Sequence, residues 1–198
     1  DTVSGGSSAN TLAGIAITSY TRDATKGEWQ YSTNGSSWTT IGSSISAASS
    51  SLTFKSTDYL RFLPAANWNG SAPTLTVALI DSSTTVTTNA TVDVSTRGGT
   101  TAYSSSTVTL SNTVNAVNDA PVASGSATLT AIDEDTANPS GATVSSLFSS
   151  NFSDSTDTVS GGSSANTLAG IAITSYTRDA TKGEWQYSTN GSSWTTIG

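Results

Sequence analysis

The chain has 198 residues, enough for one large or two modest domains; 74 of them are Ser or Thr, and only 11% are charged. With no Cys, His or Met, it offers no thiol or imidazole nucleophile, no zinc site of Cys/His type and no disulfide, so stability has to come from packing, hydrogen bonds or a metal held by oxygen. Fourteen acids against seven bases give a net charge of −7, which argues against a nucleic-acid partner, since that needs a basic footprint, and no apolar run reaches membrane-spanning length.

Strand signals dominate from the start. Leu12–Thr18 is an apolar run, and it leads to Glu28–Ser32, where Trp29 and Tyr31 share one face and Glu28, Gln30 and Ser32 the other. Asn34-Gly35 supplies turn residues and Trp38–Ile41 returns, so the segment reads as a hairpin. Leu52–Phe54, Tyr59–Leu63, Thr74–Ile80, Val92–Val94 and Thr107–Val114 follow as further strands, rich in the β-branched and aromatic residues that suit a pleated surface. Asn115–Pro121 then reads as a linker, because Pro121 drives its neighbour out of helical space. Ala127–Ile132 is the next expected strand. Val144, Leu147, Phe148 and Phe152 have helical spacing within Ala142–Phe152, which predicts one short helix. Many short strands and one small helix give an all-β expectation: an immunoglobulin- or cadherin-like sandwich with one short helix per repeat.

The strongest signal is repetition. Residues 1–42 recur unchanged as 157–198, a period of 156, which is too long for a solenoid unit and suits a whole domain. The expected organisation is an array of beads cut arbitrarily at Asp1. Residues 1–118 are then the C-terminal part of one repeat and 119–198 the N-terminal part of the next.

No Lys or Arg occurs in the 80 residues between Arg97 and Arg178, whereas Asp119, Asp133, Glu134, Asp135, Asp154 and Asp157 all do. Carboxylates crowded without basic partners repel unless a cation neutralises them, and a hard ion taking six to eight oxygens is what calcium prefers. Asp119, the Asp133–Asp135 group and Asp81, in the loop after Ile80, are the expected ligands. For Asp154 and Asp157, ligation and plain solvated charge stand level. Trp29, Tyr31 and Trp38 could make a sugar platform, but aromatics alternating along a hairpin are more often core. Trp68 is expected to pin a turn.

Val117–Val122 resembles the inter-domain linker of cadherin-like tandem repeats in giant bacterial surface proteins and adhesins exported by type I secretion. Leu129–Thr136, Gly27–Ser32, Leu60–Pro64, Asn67–Gly70 and Thr107–Thr109 extend the likeness, in order, over most of one period. The resemblance implies an extracellular, cell-surface sandwich repeat with calcium at its ends, its ligands drawn from Asp119, Glu134 or its neighbours, and Asp81. The expected role is a calcium-stiffened structural or adhesive spacer, not an enzyme, whose partners are neighbouring repeats of the same protein. A self-assembling fibre, sheath or surface-layer subunit exchanging strands between copies is the alternative, and a carbohydrate-binding module the third reading.

Overall fold

The computed structural model describes residue 4 and residues 6–198. It divides into two compact units. One holds residues 1–118 together with 157–164, the other 119–156 with 165–198.

Among the described residues the first unit contains ten strands: β1 (Leu12–Tyr20), β2 (Gly27–Ser32), β3 (Thr39–Thr40), β4 (Ser51–Lys55), β5 (Tyr59–Pro64), β6 (Gly70–Ser71), β7 (Leu75–Asp81), β8 (Ala90–Val92), β9 (Tyr103–Leu110) and β10 (Thr113–Val114). β8-β4-β1-β7-β9 form a five-stranded sheet, β3-β2-β5 a three-stranded one, and β10-β6 a short ladder. All the pairings are antiparallel. The all-β expectation therefore holds, and both larger sheets feed one core. Ile17, Tyr20, Phe54, Leu75 and Val77 from the larger sheet meet Trp29 and Phe62 from the smaller, and the Trp29 and Phe62 rings stand edge to face at 5.6 Å.

β1 is the keystone, hydrogen-bonded to β4 on one side and β7 on the other. Its Leu-Ala-Gly-Ile-Ala-Ile run lacks clean alternation because both faces are covered. Ile17 points to the main core, and Ala16 packs in a second cluster with Ile80, Val86 and Val94. A register shift between Ile17 and Ser19 re-aims the strand end, as a bulge does. The edges β8 and β9 are short or rich in Ser and Thr, which keeps their unpaired backbone groups from recruiting other strands.

Several elements differ from expectation. The strand expected at Val92–Val94 runs over Ala90–Val92, and Val94 instead donates its N–H to the Ala48 carbonyl. Thr107–Val114 breaks into β9, which pairs with β7, and β10, which pairs with β6. Ala127–Ile132 forms no strand; a ladder needs a partner, and none lies beside it. The helix expected within Ala142–Phe152 is α1 (Val144–Phe148), continued by a 3-10 turn at Ser149–Asn151. Thr143 caps it by accepting the Ser146 N–H at 3.1 Å. Phe152 belongs to a strand instead.

In the second unit, β11 (Val122–Ala123) pairs with β12 (Phe152–Ser153), and β13 (Gln186–Tyr187) with β14 (Thr195–Thr196). This unit holds no counterpart of β1, β4, β5 or β7. The only fully buried residue among its described residues is Asp154.

Candidate functional site

Asp154 follows β12 directly and is 5% exposed. Its Oδ2 accepts the Asn166 N–H at 2.6 Å, while its Oδ1 is buried with no hydrogen-bond partner. Asn151, just before β12, repeats the pattern: its Nδ2 donates to the Ser124 carbonyl at 2.6 Å, and its Oδ1 is buried without a partner. An unmatched buried oxygen costs free energy, and a charged one costs more. Both side chains are oxygen donors of the kind a hard cation takes.

The β11–β12 register pairs Val122 with Ser153. Because the ladder is antiparallel, the chain just before Val122 lies at the same end as the chain just after Ser153. Asp119, in the linker and half-buried, and Asp154 therefore flank one end of one ladder.

The other expected ligands are spread out. Asp133, Glu134 and Asp135 are exposed; the Asp133 carbonyl accepts from the Thr136 hydroxyl at 2.7 Å, and Asp135 has a φ of 63°. Asp81 closes its own turn, with Oδ1 accepting from the Ser83 N–H at 2.8 Å and the Ser83 hydroxyl at 2.5 Å. Those bonds, the hydroxyl first, hold its carboxyl below the usual carboxylate range. Asp157 belongs to the first unit, 6% exposed in a 3-10 turn, and its carbonyl accepts from the Ser163 hydroxyl. Among the described residues no three acids gather into one metal-binding group.

A second feature is apolar. Leu129, Leu147, Phe148, Ile171, Ile173, Trp185, Tyr187 and Trp194 line a groove of about 1230 Å³ in the second unit. Ile173 is 57% and Trp185 56% exposed, whereas their sequence counterparts Ile17 and Trp29 are 0% and 3% exposed. In the first unit, Trp29 also donates its indole N–H to the Pro73 carbonyl at 2.6 Å, so Trp29 belongs to the core there, with Tyr31 packed against it. Trp38 carries the Arg61 guanidinium 4.0 Å over its ring, and Trp68 packs edge-on against Phe62.

Sequence reasoning missed Asn151 and Asn69. An amide side chain carries no charge signal, and only burial singles these two out. Compared with protein-family models, curated proteins and solved structures, the chain matches none of them.

Proposed function

We propose that this chain is part of an extracellular structural repeat of a long bacterial surface protein. It is a cadherin-like spacer whose work is mechanical and whose joints are stiffened by calcium. The observation that carries this reading is the exact recurrence of 42 residues, the first copy of which builds the heart of a sandwich-like unit. Identity that extends through the loops favours a role in which length and regularity matter more than a unique pocket.

The calcium part is supported by Asp154, whose buried, unpartnered carboxylate oxygen sits at the linker end of the β11–β12 ladder with Asp119. A cation bound only by the ordered state stabilises that state by mass action. Melting the 198-residue chain with added calcium and then with a chelator tests this. The midpoint is expected to fall on chelation, and Asp154→Asn is expected to abolish most of that difference. An unchanged wild-type midpoint removes calcium from the reading.

The apolar groove favours one second reading, a fibre or sheath subunit. Four of the residues that line it, Ile171, Ile173, Trp185 and Tyr187, have counterparts in the first unit, Ile15, Ile17, Trp29 and Tyr31, which lie on strands paired with β4, β5 and β7. The occupant that fits is a second copy of those strands, lent by a neighbouring chain or repeat. Light scattering over a rising concentration series separates the two: a constant monomer mass supports the spacer, and growing assemblies support strand exchange.

A further inference from the structure

We infer that the turn Asn67–Gly70 is a receptor for the opening segment of the following repeat copy, residues 157–164. This inference is independent of the calcium reading. The eight residues pack in the first unit, although by sequence they open the second copy.

The contact is built from both partners. Asn69 is 9% exposed, and its amide is matched at both ends: Nδ2 donates to the Ser163 hydroxyl at 2.8 Å, and Oδ1 accepts the Ser163 N–H at 2.8 Å. The Ser163 hydroxyl in turn donates to the Asp157 carbonyl. The segment is pre-shaped for this, because Val159 and Ser163 close a small loop: the Val159 N–H donates to the Ser163 carbonyl and the Gly162 N–H to the Val159 carbonyl, both at 3.0 Å. Gly162 lies flat on the receptor, so that a Cβ added there would stand 2.3 Å from Asn69 Oδ1 and 2.6 Å from the Asn69 carbonyl oxygen. Only a residue without a Cβ fits.

The sequence offers the receptor two identical ligands, residues 1–8 and 157–164. The Asn69 amide is matched by the downstream one. The chain thus leaves the first unit after Asn118 and is pinned to it again at 157–164.

The test uses paired variants of the full chain, Gly162→Ala and Gly6→Ala, which are the same change in the same octapeptide. Hydrogen exchange of the Ser163 N–H is read, with the β1 amides Ile15–Ile17 as an internal check that the first unit stays folded. Gly162→Ala is expected to speed Ser163 exchange roughly tenfold to a hundredfold, the scale of one lost buried amide pairing, and Gly6→Ala to leave it unchanged. An equal or larger effect from Gly6→Ala overturns the inference, as does no effect from either.

Discussion

At the scale of single residues, the chain carries its own controls, because the same side chain occurs in two environments. Trp29 is buried, hydrogen-bonded and edge to face with Phe62, whereas Trp185 is exposed. Trp29→Ala should cost about 3–5 kcal/mol from lost burial and the cavity left behind. Trp185→Ala should cost within about 0.5 kcal/mol, as at an ordinary surface site. Denaturant unfolding followed by far-UV circular dichroism checks both. A second pair isolates sterics: a Cβ on Gly14 would meet the Phe54 carbonyl oxygen at 2.2 Å, while one on Gly170 would meet nothing within 4 Å. Gly14→Ala should therefore lower the midpoint, and Gly170→Ala should leave it level or raise it slightly by restricting the unfolded chain. The tight β1–β4 approach at Gly14 is invisible in sequence, where Gly inside a strand run signals only that some close contact exists.

Among the elements, the two copies separate local from long-range causes. The turn after β2 forms in both: Ser32 Oγ accepts from Asn34 and Gly35, and Asn34 Oδ1 from Ser36 and Ser37; Ser188 and Asn190 repeat the whole set. The hairpin ladder recurs too, Gln30 opposite Thr40 and Gln186 opposite Thr196. So does the Arg22–Glu28 ion pair, as Arg178–Glu184. The nine-residue β1 does not recur, and residues 168–176 carry the same letters with no strand. Amides 14–18 should accordingly show exchange protection approaching that of global unfolding, while amides 170–174 exchange as an open segment does; two-dimensional NMR resolves them because their environments differ. The hairpin was legible because Asn-Gly and alternating aromatics act over a few residues. The division of Thr107–Val114 into two strands was not, because it depends on which of β7 and β6 lies alongside.

For the molecule as a whole, charge and burial set the response to pH. Asp23, Asp81, Asp93 and Asp179 are all held below the ordinary carboxylate range, chiefly by the Ser or Thr hydroxyl two residues on. A carboxylate depressed in the folded state contributes stability above its unfolded pKa, near 4, and loses it as pH falls through the lower folded value. Thermal midpoints should therefore decline below about pH 4, and less steeply in Ser83→Ala and Ser95→Ala. Tyr20 is displaced upward, first by burial and then by the charge of Glu28. Its contribution is complete below about pH 10 and is lost as pH climbs beyond that, so alkaline melts should destabilise as well. Phenolate absorbance should show Tyr20 titrating late.

The amino-acid sequence by itself determined the all-β class, the 156-residue period, the turn chemistry and the aromatic hairpin, because each arises from residues a few positions apart or from plain identity. Tertiary structure alone decided which copy of a repeated segment becomes a strand, which carboxylate is buried, and where residues 157–164 come to rest. These depend on partners dozens of residues away, and a strand, a buried charge or a clasp acquires its free energy only when that partner is in place.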